Sequence, residues 1–174
     1  AHGLRPLRRA GEAMRRDATR DALLRDVACA FACAKCVGAR VVLLGSSTGA
    51  TLATWLAAQP WAQPEMAALL MVSPAYAIRQ KRELYETLKW VTVLLPALGK
   101  LIIVAAAGRV HHANPPLNAQ KTKAMMALFN RVWTCAYPNA AVLHLIHLYV
   151  TIEDTVPFAS VAAPALAFAC PEDG

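Results

Sequence analysis

A strand, a tight turn and a helix follow one another without a gap in the first third of this sequence. The run Arg40-Val41-Val42-Leu43-Leu44 is short, apolar and rich in β-branched residues. Such a run predicts a strand buried on both faces, as in a parallel sheet. Residues 45–49 are small, and residues 50–59 predict a helix that Pro60 ends. A buried strand that passes directly into a helix favours an α/β fold with parallel strands.

Two further apolar runs extend this pattern. Residues 66–73 predict a second buried strand, and Ala165-Leu166-Ala167-Phe168-Ala169 predicts a third. Residues 12–36 predict an amphipathic helix before the first strand, with Gly38 as its stop. Residues 76–156 are mostly helical in pattern and show no convincing strand. The sequence therefore predicts a helical block inserted between strands of one sheet.

The turn itself matches the pattern G-x-S-x-G. Gly45-Ser46-Ser47-Thr48-Gly49 lies between a strand and a helix, where a sharp turn holds the central serine in a strained conformation. Gly45 and Gly49 leave room for that backbone. The turn predicts Ser47 as a nucleophile, with the Thr48 N–H helping to hold an oxyanion. Two alternatives remain: Ser46 as the nucleophile if the register differs, or Ser47 as an ordinary helix N-cap.

A serine hydroxyl needs a base to take its proton, and a carboxylate usually orients that base. Asp173 follows the third apolar run, in a loop at the carboxyl end of the predicted strand. That position favours Asp173 as the orienting acid, with its neighbour Glu172 as the competitor. An ordinary surface acid is the structural alternative.

Together these residues resemble the α/β-hydrolase superfamily over essentially the whole chain. The likeness is strongest to capped bacterial esterases and monoacylglycerol-lipase-like hydrolases. Five segments carry the likeness. They are a His-Gly loop (His2-Gly3), a strand with its turn and helix (39–53), the next strand (69–75), a cap (118–138) and the strand that leads to the acid (161–173). The resemblance implies a mostly parallel sheet with helices on both faces and an inserted helical cap. It also implies ester hydrolysis through a Ser-Asp-His triad, without a cofactor.

Carried over residue by residue, the resemblance makes Ser47 the nucleophile, the Thr48 N–H an oxyanion donor and Asp173 the triad acid. The expected domains are a core over 1–75 with the nucleophile turn, a helical cap over 76–157, and a core strand with the acid loop over 158–174.

The sequence departs from the family at three points. The triad histidine should follow the acid, whereas the sequence ends at Gly174, and His144 and His147 precede the acid. The first strands of the family's sheet are missing, and Ala50 replaces a frequent glycine. We therefore expect an internal portion of a hydrolase. The alternative function is a non-catalytic binding protein or an inactive remnant that lacks the histidine.

An apolar stretch in the expected cap indicates the kind of substrate. Residues 90–107 are strongly apolar but contain Pro96, Gly99 and Lys100. These residues favour two broken helices, lining a cleft or lying on a lipid interface, over a single membrane span. Its large side chains predict an ester with an apolar acyl chain as the substrate (Leu94, Leu95, Leu98, Ile102 and Ile103).

Cysteines and histidines raise the possibility of a metal centre. Cys29-x3-Cys33-x2-Cys36 has the spacing of an iron–sulfur motif, but the three residues fall on one face of a predicted helix. Small buried residues of a packed face are the favoured interpretation. His111-His112 and His144-x2-His147 lack a matched third ligand, so no metal site is predicted.

Composition and charge exclude other classes. Hydrophobic residues make up 57% of the chain and charged residues 17%, which excludes intrinsic disorder. The net charge of +7 is local, because seven arginines lie between Arg5 and Arg25. Acidic residues interleave with them, which favours a solvated helix face over a nucleic-acid site. The odd count of five cysteines indicates reduced thiols and a cytoplasmic location. No nucleotide-binding loop is present, so no cofactor is predicted.

Overall fold

The computed structural model of the chain describes residues 16–76, 89–107, 110–112, 124–127 and 136–169. The chain divides into two compact units. We call the first the helical unit (Ala1–Thr19 and Trp90–His144) and the second the sheet unit (Arg20–Lys89 and Leu145–Gly174). The assignment of a core and a cap to 1–75, 76–157 and 158–174 stays a prediction.

Helices and strands of the described residues are numbered here in chain order. They are α1 (Arg20–Lys35), β1 (Val41–Ser46), α2 (Thr48–Ala57), β2 (Met66–Val72), α3 (Pro96–Ala107), β3 (Val110–His112), β4 (Ala136–Pro138), α4 (Val142–Thr155) and β5 (Ala165–Phe168). Short 3-10 turns precede β2, α4 and β5 (Gln63–Glu65, Asn139–Ala141 and Phe158–Ser160).

Strands β1, β2 and β5 form one sheet with β2 in the middle. Both pairings are parallel, and Leu44 lies opposite Leu70, which in turn lies opposite Leu166. The three apolar runs of the sequence are therefore the three strands of this sheet. The predicted α/β class and the parallel pairing are confirmed.

Two apolar clusters hold the sheet unit together. The first joins α1 to α2 and the strands, and Phe31, Leu56 and Leu69 are each at most 2% exposed within it. The second places Leu148 and Ile152 of α4 against Ala58, at the end of α2. Because α4 is anchored in this way, it brings a segment distant in sequence to the helix that follows β1.

The burial of the sheet differs from the prediction. Val42 and Leu44, at alternate positions of β1, are 54% and 74% exposed. Leu166 and Phe168 of β5 are also about half exposed, at 51% and 56%. The prediction that β1 is buried on both faces was wrong, and so was the prediction that β5 is buried, because all four of its residues are exposed. An apolar run shows that a strand can be buried, but it does not show whether another element covers each face.

Residues 89–94 are helical, and in the helical unit α3 begins at Pro96. Leu95 separates the two helical stretches, whereas the break was predicted over Pro96-Ala97-Leu98-Gly99, which all lie within α3. Proline suits the first position of a helix because it lacks an N–H that would have no partner there. A Cβ atom at Gly99 would lie 2.6 Å from Cγ2 of Thr92, so the two stretches pack closely. Within the described segments, no helix has the length and apolar character to cross a bilayer.

A two-stranded hairpin also lies in the helical unit. β3 pairs with β4 in the antiparallel sense, with His111 opposite Tyr137. The prediction of no strand over residues 76–156 was therefore wrong. Each strand has three residues, which is too short to produce the alternating apolar pattern by which strands are recognised.

Candidate active site

Ser47 occupies the junction between β1 and α2. Its backbone has φ 51° and ψ −125°, a conformation that non-glycine residues rarely adopt. Its side chain makes no capping hydrogen bond to α2, although the residue stands at the N-cap position. The structure does not realise the N-cap alternative. Ser47 is exposed, and its hydroxyl lies at the carboxyl edge of the sheet, where it forms no hydrogen bond that caps the helix.

Backbone hydrogen bonds hold this strained residue on both sides. The Ser47 N–H donates to the Val72 carbonyl oxygen at 2.9 Å. The Ser47 carbonyl accepts from the N–H groups of Ala50 and Thr51, at 3.0 and 3.3 Å, and from that of Ala75 at 3.4 Å. Strained backbone persists where its surroundings over-determine it, and such residues concentrate at functional sites. The strained position falls on Ser47 and not on Ser46, which pairs with Val72 as the last residue of β1.

The two glycines of the turn stand in different surroundings. A Cβ atom at Gly45 would lie 2.5 Å from both the Ala50 Cα and the Gly49 carbonyl oxygen. These are backbone atoms, which cannot move aside as a flexible side chain can. A Cβ atom at Gly49 would meet no heavy atom within 4 Å. Only Gly45 therefore allows α2 to approach β1 as closely as the turn requires.

Thr48 begins α2, directly after Ser47. The first N–H groups of a helix have no partner within it and carry the positive end of the helix dipole. The Thr48 N–H is thus suited to hold negative charge that develops near Ser47.

The hydroxyl of Thr48 has a second partner. It forms a hydrogen bond of 3.1 Å with the Tyr149 hydroxyl of α4. Burial raises the pKa of Tyr149 above its ordinary value, and the bond to Thr48 lowers it by less. The phenol therefore stays protonated at neutral pH and can donate.

Two more threonines attach α2 to its surroundings, and sequence reasoning missed them. Thr51 is fully buried and donates to the Ala75 carbonyl oxygen. Thr54 bonds the Tyr76 hydroxyl at 2.8 Å. Thr48, Thr51 and Thr54 recur at every third position, which is the signal in the sequence for one helix face.

Comparison with known proteins adds no family. No protein-family model, curated protein or solved structure matches this chain. What the site can do therefore follows from its own geometry.

The carboxyl edge of the sheet brings three chain segments together. The Ser47 N–H reaches Val72 at the end of β2, and the Ser73 N–H donates to the Phe168 carbonyl oxygen of β5 at 2.7 Å. The predicted acid Asp173 and its competitor Glu172 lie outside the described residues, as does His2-Gly3. Phe168, the last residue of β5, precedes Asp173 by five positions.

The competing metal sites find no support in the described part of the chain. Cys29, Cys33 and Cys36 are free thiols, and all three are exposed. The prediction that they are buried was wrong, because Phe31 is the residue of α1 that enters the core. Across the described ranges, no three His, Cys, Asp or Glu side chains lie close enough together to hold a metal ion. His147 lies on α4, and His111 and His112 lie on β3.

Arginines of the basic segment pair with adjacent acids where the structure describes them. Arg16 contacts Asp17 at 2.6 Å, and Arg20 contacts Asp21 at 2.7 Å. These pairs agree with a solvated helix face on which charges of both signs alternate.

Proposed function

We propose that this protein is a serine hydrolase that cleaves carboxylic esters on an α/β-hydrolase fold with a helical cap. The observation that carries the proposal is the strained backbone of Ser47 between a parallel strand and a helix. Non-glycine residues rarely adopt such a conformation, and those that do concentrate at functional sites. Here a serine is held in the strained conformation by hydrogen bonds to its N–H and its carbonyl group.

In the proposed reaction, Ser47 Oγ attacks the ester carbonyl carbon and its proton passes to a histidine. The carbonyl π electrons move to the oxygen, and the Thr48 N–H stabilises the resulting oxyanion. Collapse breaks the bond to the alcohol, which leaves with the proton from the imidazolium. Water then attacks the acyl-Ser47 carbonyl carbon while the histidine takes one of its protons. Collapse of the second intermediate releases the acid and returns the proton to Ser47.

Strand spacing supports Asp173 as the partner of that histidine. β2 separates β1 from β5, so the ends of β1 and β5 are about 9 to 10 Å apart. An imidazole with one hydrogen bond of about 2.8 Å on each side bridges most of that distance. A loop after β5 can supply the remaining reach. The resemblance places the histidine after the acid in the chain.

Exposed apolar side chains in the helical unit support an apolar substrate or a lipid interface. Leu94 and Leu101 are 73% and 65% exposed, and Trp90 of the same unit is 50% exposed. Several large apolar side chains exposed within a short stretch of chain support a surface for ligands or lipids. The exposed free thiols of α1 support the predicted cytoplasmic location.

The test is labelling with a fluorophosphonate, using protein from the complete reading frame. We expect an adduct on Ser47, located by mass spectrometry, that is absent from Ser47→Ala. Ser46→Ala is the matched control, because it removes the neighbouring exposed hydroxyl and leaves the strained residue intact. The Ser46→Ala variant should still be labelled.

Absence of an adduct on the folded wild-type protein would reject the proposed hydrolase activity. The alternative is then a non-catalytic protein of the same fold that binds an apolar ligand or a partner. That protein would bind its ligand equally well with and without the Ser47 hydroxyl.

A further inference from the structure

Tyr149 is a buried ionisable side chain that contacts the turn. Its residue is 4% exposed, and its hydroxyl lies 3.1 Å from Thr48 Oγ1. The apolar contacts of its neighbours Leu148 and Ile152 fix α4 against the end of α2. The phenol is therefore held from a rigid element and reaches the residue directly after Ser47.

The bond acts on a residue with two functions in the proposed site. Thr48 offers its N–H to the oxyanion and its side chain to Tyr149. The ends of a helix fray more readily than its interior, and the N–H groups of the first turn have no partners in the helix. A hydrogen bond to the side chain restricts how Thr48 can move, and with it the direction of the Thr48 N–H.

We propose that Tyr149 is a positioning residue that holds the Thr48 N–H toward the oxyanion through the bond between the two hydroxyls. This inference rests on the proposed ester hydrolysis and adds a residue that the G-x-S-x-G pattern does not contain. Preorganised donors stabilise a developing charge without reorganising during the reaction. Loosening Thr48 should therefore slow the chemical step and leave binding of the uncharged substrate unchanged.

The same helix provides a matched control. Tyr76 also donates or accepts a hydrogen bond with a threonine of α2, at 2.8 Å from Thr54 Oγ1. Thr54 stands six residues after Thr48, in the second half of the helix. Tyr76→Phe therefore removes a bond of the same chemistry from the same helix, at a threonine that offers no N–H to the oxyanion.

The experiment measures ester hydrolysis by the full-length protein and its variants. Tyr149→Phe should lower kcat about 3- to 10-fold, with KM within about twofold. Thr48→Val should do the same, Thr48→Ser should retain most of kcat, and the double variant should lose no more than one single variant. Tyr76→Phe should lower the unfolding midpoint and leave kcat unchanged.

A trifluoromethyl ketone provides a second readout. The attack of Ser47 Oγ on this ketone gives a hemiketal that carries an oxyanion, while the serine proton passes to the histidine. The affinity of the protein for this ketone should fall in Tyr149→Phe by the same factor as kcat. A purely structural role of Tyr149 would not alter this affinity in the folded variant.

The outcomes separate the inference from the proposed function. If wild-type protein hydrolyses esters and Tyr149→Phe has an unchanged kcat, only the inference is overturned. Equal losses of kcat in Tyr149→Phe and Tyr76→Phe, or additive losses in the double variant, also overturn it. Wild-type protein with neither turnover nor a Ser47 adduct overturns both.

Discussion

The Cα atom of Ala50 lies so close to Gly45 that a Cβ atom there would stand 2.5 Å from it. We expect Gly45→Ala to lower the free energy of unfolding by about 1 to 3 kcal/mol, because backbone atoms must shift. Gly49→Ala meets no neighbour within 4 Å and should change stability by less than about 1 kcal/mol, in the stabilising direction. Urea unfolding of both variants measures the difference. Equal losses at the two positions would contradict the close approach.

The strained backbone at Ser47 should lower the free energy of unfolding of the protein. Glycine adopts a positive φ without strain, so Ser47→Gly should be about 1 kcal/mol more stable than Ser47→Ala. Neither variant should react with a fluorophosphonate. At Ser46, which is in the strand, the order should reverse, since glycine destabilises a strand relative to alanine. Thermal unfolding of the four variants gives both comparisons, and the same order at both positions would argue against strain at Ser47.

Tyr149 should make stability depend on alkaline pH. Burial raises the pKa of its phenol in the folded state. Below the ordinary tyrosine pKa of about 10, both states are protonated and the contribution is constant. Above it, the unfolded chain loses the proton first, so unfolding becomes more favourable as pH rises through the folded pKa. The stability advantage of wild type over Tyr149→Phe should therefore shrink as the pH rises above about 10. Urea midpoints that keep a constant gap over this range would contradict it.

The exposed leucines of the helical unit should bind lipid. Replacing Leu94 and Leu101 by Asp removes two side chains that could enter an apolar layer. Each is worth about 1.5 to 3 kcal/mol when fully buried, so partitioning to phosphatidylcholine vesicles should fall at least about tenfold. Val37→Asp is the control, because Val37 is 91% exposed in the turn after α1. Similar losses in the control, or no binding by wild type, would reject a lipid surface here.

The thiols of α1 should react rapidly. Cys29, Cys33 and Cys36 are free and exposed, so a thiol reagent in native buffer should modify all three. Peptide mapping after brief exposure to iodoacetamide identifies the modified residues. If these cysteines react only after the protein is denatured, they are buried, as their helical spacing first indicated.

The sheet was predictable because each strand coincides with an uninterrupted apolar run. The burial of its faces was not, since Val42 is as apolar as Val41 and yet is 54% exposed. Ser47 was predictable because its neighbours in sequence form the turn. Tyr149 was not, because nothing near residue 149 indicates that α4 returns to Thr48. Contacts between residues far apart in sequence depend on the packing of α4, which no local pattern encodes.

Thr48 and Tyr149 are separated by 101 positions in the chain. The entropy lost in closing such a loop grows with the logarithm of its length. Ten residues gained or lost between them would thus change the closure cost by only about 0.1 kcal/mol. Insertions and deletions within residues 90–144, which belong to the helical unit, can therefore accumulate with little effect on the cost of bringing Thr48 and Tyr149 together. The fold keeps the part that must be rigid separate from the part that is free to diversify.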